Sequence, residues 1–148
     1  MDLTGEYMIP QSQEKVWEAI CDAEIVKSCI PGCEHMEKQS ATDFSVLVDA
    51  NIGTVRAQFK GRLTIADSHA PDIYTVVFEG QAPAGFVTGL ANIELEPETA
   101  RATRMKYNAS VKVGGKLAQV SSRLVDSVGE KLVEQFFSAF IKRLAKTQ

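Results

Sequence analysis

A chain of 148 residues fits a single domain with one core, since domains cluster around roughly 100–150 residues. Its 45% hydrophobic and 24% charged residues are ordinary globular usage and argue against a disordered or fibrous protein. A net charge of -3 with a pI near 5.4 argues against a general nucleic-acid binder, which needs a concentrated positive field.

The N-terminal residues Met1 to Glu6 carry no basic segment ahead of an apolar run. No stretch approaches the ~18 apolar residues of a spanning helix, so a soluble, cytoplasmic protein is expected. Residues 3–9 alternate as a short strand, which Pro10 ends. Ser12 is placed to cap a helix over residues 12–22, with Val16, Trp17 and Ile20 on its apolar face. Residues 23–28 read as a second short helix, halted at Ile30-Pro31-Gly32. The three cysteines, Cys21, Cys29 and Cys33, are odd in number and follow no secretory signal, so thiols are expected.

From residue 33 to residue 113 the period changes to two. It is clearest over residues 54–66, where Val55, Ala57, Phe59, Leu63 and Ile65 alternate with polar residues. Similar runs at 33–39, 44–52, 73–80, 86–96 and 102–113 predict six strands in succession, with turns at Ala70-Pro71-Asp72 and Pro97-Glu98. Gly114-Gly115 breaks the pattern, and residues 116–146 carry the longest helical signal. Its apolar face is Leu117, Val120, Leu124, Val125, Val128 and Leu132 at first, then Val133, Phe136, Phe137, Phe140, Ile141 and Leu144, a direction turned by roughly 140°. That predicts either a bend near Gly129 or a helix end that packs against something other than the sheet.

The expected architecture is therefore α+β. A bent antiparallel sheet of about seven strands wraps around a long C-terminal helix, with two short helices after the first strand. Small residues on the inner face, Ala57, Gly61, Gly89 and Ala91, are expected to leave volume for an apolar cavity. The candidate wall of that cavity is Phe59, Tyr74, Val76, Phe78, Ala91, Ile93, Met105, Tyr107, Leu124 and Val128, and plain core is its alternative reading. The aromatic end of the last helix, Phe136, Phe137, Phe140 and Ile141 beside Lys142, Arg143 and Lys146, reads as a contact with a partner or a membrane, or as packing on the first helix or a second copy of the chain.

Catalytic chemistry finds little support. His35 and His69 stand alone, the carboxylates are scattered, and no acid and base can be paired. Cys29 and Cys33 are too few for a zinc site, which needs four ligands, and their three-residue gap is not that of a redox pair. Gly114-Gly115-Lys116 lacks the spacing of a phosphate loop. No catalytic residue, metal or obligatory cofactor is expected.

Several stretches are more specific together than any one alone. They are Cys29-Ile30-Pro31-Gly32-Cys33-Glu34, Phe59-Lys60-Gly61-Arg62, Gly85-Phe86 with Gly89, Val113-Gly114-Gly115-Lys116-Leu117-Ala118-Gln119, Ser122-Arg123-Leu124-Val125-Asp126 and Glu134-Gln135-Phe136-Phe137. Over essentially its full length the chain resembles the carbon monoxide dehydrogenase G-subunit family, of the START-like, helix-grip superfamily. The resemblance implies a non-catalytic accessory protein that binds a quinone or similar lipid and recruits a molybdenum hydroxylase to the inner face of the cytoplasmic membrane. Many members continue into an apolar or amphipathic tail, and here the aromatic helix end is the candidate for that contact. A stand-alone carrier of a lipid or hydrophobic metabolite and a small START-like cyclase or hydrolase are the alternatives.

Overall fold

In the computed structural model, which describes residues 1–146 and of Asp67 only the backbone, strands and helices follow one another in the predicted order. Strand β1 (Asp2–Ile9) leads to helices α1 (Gln13–Ile20) and α2 (Ala23–Cys29). Then come β2 (Cys33–Lys38), β3 (Asp43–Ile52), β4 (Val55–His69), β5 (Ile73–Ala82), β6 (Gly85–Thr99) and β7 (Ala102–Gly115). A 3-10 turn (Lys116–Gln119) and helix α3 (Ser122–Ala145) complete the described chain. Ser12 accepts a hydrogen bond from the Lys15 amide, and Asp22 accepts from the Glu24 and Ile25 amides, so each short helix starts on a side-chain cap.

The strands form one antiparallel sheet in the order β1-β7-β6-β5-β4-β3-β2. Sequential hairpins account for β2 to β7, while β1 reaches β7 from the other end of the sequence and α1 and α2 carry the chain to the opposite edge. The register lines up the alternating residues in rows across the sheet. One row is Gly5, Tyr107, Ile93 and Tyr74, the next is Leu3, Ala109, Ala91 and Val76, and a third is Val111, Gly89, Phe78, Leu63 and Phe44. These rows are the concave face. On the opposite face Thr75 donates to Asn92 at 2.9 Å and Asn92 donates to Asn108 at 3.0 Å, a polar ladder suited to solvent.

Two glycines on the concave face serve the bend rather than the cavity. A Cβ on Gly61 would collide with the Glu79 carbonyl, and one on Gly89 would stand 2.6 Å from the Phe78 ring. The space expected beside these glycines is filled by the neighbouring strand and by Phe78, because a coiled sheet brings backbones together on its inner side.

The long helix is shorter than its periodicity suggests. Gly115 (φ 69) turns the chain into the 3-10 segment, and Ser121 then caps α3 by accepting from the Leu124 amide at 3.4 Å. Leu117 is fully buried from the 3-10 turn, so it belongs to no face of α3. With Leu117 and Val120 removed, the inward stripe of Val125, Gly129, Leu132, Val133, Phe136, Phe137, Phe140 and Leu144 is continuous. The rest of the turn of the apolar face, from Val125 and Val128 to Phe137, Phe140 and Leu144, follows a change of neighbour: the start of α3 faces the smaller core and its C-terminal half packs on α2, the expected case of a helix end that packs against something other than the sheet. The C-terminal half of α3 packs against α2, where Arg143 donates to Ser28 at 2.9 Å, and Gln11, in the turn before α1, donates to the Leu144 carbonyl at 2.8 Å.

Packing gathers into two cores. The larger joins Ile9, Val16, Cys29, Phe44, Ile65, Tyr74, Leu95 and Met105 to Phe137, Phe140 and Leu144, under α1, α2 and the end of α3. The smaller joins Ile52, Ala57, Phe59, Leu117 and Val125 at the start of α3.

Candidate functional site

Between the two cores the concave face carries apolar residues that belong to neither. Val46 and Val48 from β3, Phe78 from β5, Ala91 from β6, and Ala109 and Val111 from β7 are only half-buried, as is Leu132 on α3. Apolar side chains on the inner side of a sheet normally end up buried, so a strip of this kind marks surface that a ligand can cover.

The predicted wall divides among these regions. Its eight strand residues share the concave face, but Phe59, Tyr74 and Met105 are buried in the cores. Val76, Ile93 and Tyr107 flank the larger core, Val128 flanks the smaller, and Phe78 and Ala91 lie in the open strip. Leu124 does not join them: it is 37% exposed and its Cδ2 faces Gly53 at the tip of the β3–β4 hairpin, because the 3-10 break rotates it out of the grip. Val46, Val48, Ala109, Val111 and Leu132 complete the strip and lie outside the predicted wall. For the strand members the alternation in residues 44–52 and 102–113 contains the signal that would have found them.

The aromatic helix end is also divided. Phe140 is fully buried, Phe137 nearly so, and Phe136 stacks on Phe140 with ring centroids 5.6 Å apart. Phe136 and Ile141 are half-buried against the same core. In this conformation Phe137 and Phe140 are spent on packing inside the domain, which takes them out of any surface for a partner or membrane. The reason is that α1 and α2 cover the helix end, which periodicity along α3 alone could not show.

Tyr74 is the one buried side-chain polar group that finds no hydrogen-bond partner among the described residues. Its ring meets Trp17 edge-on at 4.9 Å, and burial, then the nearby Cys21 thiol, pushes its phenol well above the ordinary range. A buried hydroxyl without a partner costs about 1–3 kcal/mol. Replacing Tyr74 with phenylalanine is therefore expected to raise stability by about 1 kcal/mol, measured by urea unfolding, the opposite of the usual core substitution.

Near β1 three rings stack. Tyr7 lies 4.4 Å from Phe137, and Phe137 lies 5.5 Å from Tyr107, which covers Gly5. Burial raises both phenols, with Glu134 adding to the effect at Tyr7, and Tyr7 and Glu130 adding to it at Tyr107. Both stay protonated, hence hydrogen-bond donors, through the neutral range.

An open groove of about 460 Å³ sits there, lined by Asp2, Leu3, Thr4, Tyr7, Tyr107, Glu130, Val133 and Glu134. A second, of about 350 Å³, is lined by Met1, Val111, Lys112, Val113, Ala118, Val120, Ser122, Val125 and Asp126.

His35 lies on β2 with its Nε2 3.4 Å from Glu37, both exposed, and His69 ends β4. Cys21, Cys29 and Cys33 are free thiols. Among the described residues no cluster of three or more His, Cys, Asp or Glu side chains is arranged to hold a metal.

The sequence pattern of the carbon monoxide dehydrogenase G-subunit (CoxG) family matches residues 5–145. No curated protein matches the sequence. Among solved structures, a conserved protein from Geobacillus kaustophilus is 26% identical, with a TM-score of 0.91 over 99% of this chain and 97% of that one. A START superfamily protein from Mycobacterium smegmatis is 12% identical, with a TM-score of 0.75 over 99% of each chain. The Zhui aromatase/cyclase from Streptomyces sp. R1128 is 11% identical, with a TM-score of 0.72 over 99% of this chain and 94% of its own. These last two establish a shared fold.

Proposed function

We propose a function that starts from the family to which this chain belongs, the carbon monoxide dehydrogenase G-subunit family: it is a non-catalytic accessory protein that binds an apolar, quinone-like or lipid-like ligand. The observation that carries this reading is the half-buried apolar strip between the two cores. It offers hydrocarbon surface and no paired acid and base, which suits holding a ligand better than converting one. Covering ~300–400 Å² of ligand apolar area contributes on the order of 8–10 kcal/mol, against association costs of ~4–15 kcal/mol. Binding is then modest and reversible, as handing a ligand on requires.

The partner that family membership favours is a molybdenum hydroxylase of the carbon monoxide dehydrogenase type, brought to the cytoplasmic membrane where its electron acceptor resides. No helix among the described residues is long and apolar enough to cross a membrane, so the attachment proposed is peripheral. A stand-alone carrier is the second reading, favoured by the burial of Phe137 and Phe140, which leaves the helix tip with less contact surface than recruitment asks for. Native mass spectrometry of protein purified from its host, with organic extraction of bound material, tests the common element. A stoichiometric quinone or lipid is expected, and a repeatedly empty protein would sink both readings. Co-purification of a hydroxylase then separates recruiter from carrier.

A further inference from the structure

The two grooves lie along one seam. The first takes Glu130, Val133 and Glu134 from α3, the second takes Ser122, Val125 and Asp126, and Gly129 stands between them. What separates the grooves at that point is Met1. A Cβ on Gly129 would stand 2.8 Å from the Met1 methyl and 2.9 Å from its sulfur, so the missing side chain of this helical glycine is the space in which Met1 lies. The backbone of Met1 is fixed, since its ammonium donates to the Val111 carbonyl at 2.9 Å and the Val111 amide donates to the Met1 carbonyl at 2.8 Å. The side chain is unbranched and flexible, and can turn aside without unfolding the edge of the sheet.

We infer that the two grooves are the ends of one ligand slot, divided by the Met1 side chain, and that it takes an elongated uncharged amphiphile rather than a fatty-acid-like anion. From Ser122 to Glu134 the helix rises about 18 Å, enough to lay an extended apolar chain beside it. The chain's end is met by Val111, Val113, Val120 and Val125. The polar head is met by the Tyr7 and Tyr107 phenols, which donate to a carbonyl or accept from a hydroxyl. Charge sets the selection. At the head end Glu130 and Glu134 line the groove with no cation among its lining residues, while the Met1 ammonium and Lys112 lie at the other groove, so a carboxylate head meets repulsion that an alcohol or carbonyl does not. The inference rests on the apolar-ligand reading above and places part of that ligand in the seam.

The test uses the neutral fluorophore N-phenyl-1-naphthylamine and protein carrying ¹³C-methyl methionine, in which Met1, Met8, Met36 and Met105 give separate reporters. The Met1 methyl resonance is expected to shift with saturation of the fluorophore while exposed Met8 stays in place. At low salt 1-dodecanol is expected to displace the fluorophore about tenfold more tightly than dodecanoate, and Glu130→Gln/Glu134→Gln to bring the two within about threefold.

Fluorophore binding that shifts Met36 or Met105 and leaves Met1 unmoved would overturn the slot while leaving an apolar ligand in the strip. A selectivity ratio unchanged in the double variant would overturn the charge rule. Failure of the fluorophore to bind at all would overturn the inference and the apolar-ligand reading together.

Discussion

Replacing Phe140 with alanine is expected to cost about 3–5 kcal/mol and to lower the melting temperature by on the order of 10 °C or more. Phe140 is fully buried, its ring stacks on Phe136, and it sits in the larger core beside Phe137 and Leu144. Removing it leaves a ring-sized cavity among α1, α2 and α3, and those caps and strands leave little freedom to collapse into it. The same substitution at a surface kept for a membrane or a partner would cost well under 1 kcal/mol. Chemical unfolding therefore decides between the two: a loss below about 1 kcal/mol would mean that the helix end is not core.

Ala91→Phe is expected to have the largest effect on binding, weakening N-phenyl-1-naphthylamine by about tenfold or more, with stability held within about 1 kcal/mol. Ala91 is flanked in register by Val76 and Ala109 at the middle of the concave face, and it is half-buried although it points toward the helix side of the grip. If the strip is open volume, a phenyl ring enters it, occupies the ligand's place and adds buried area. If the strip is closed core, the same ring overpacks it and costs about 1–3 kcal/mol. A fluorescence titration and a urea curve on one preparation read both quantities. Unimpaired binding in a stable variant would place the ligand elsewhere.

The fold is largely legible in the sequence because its signals are local. Period-two alternation in residues 54–66 is visible without neighbours, and so is the side of the sheet each residue takes, since one slip of register would invert the entire face. Tyr74, Val76, Phe78, Ala91, Ile93, Met105 and Tyr107 do share one face for that reason. The helix start is not legible in the same way, because Leu117 keeps an apolar spacing across a break that depends on Gly115 and Ser121. Apolar periodicity cannot tell a 3-10 turn followed by a cap from a continuous helix.

The site is legible only in part. Whether an inward residue is packed or left half-open depends on how far α3 stands from the sheet, and the sequence carries no direct record of that distance. Tyr74 and Ala91 occupy the same face and both belong to the predicted wall, yet one is fully buried and the other lines the strip.

By itself the sequence determined the family, the order of elements and the inner face of β4 to β7, because these follow from residue spacing and from words such as Cys29-Ile30-Pro31-Gly32-Cys33. Only the tertiary structure decided that Phe137 and Phe140 are core, that Gly61 and Gly89 serve the bend, and that Met1 lies over Gly129 between two grooves. Each of these depends on contact between segments far apart in the chain, where packing against a specific neighbour, not local propensity, sets the outcome.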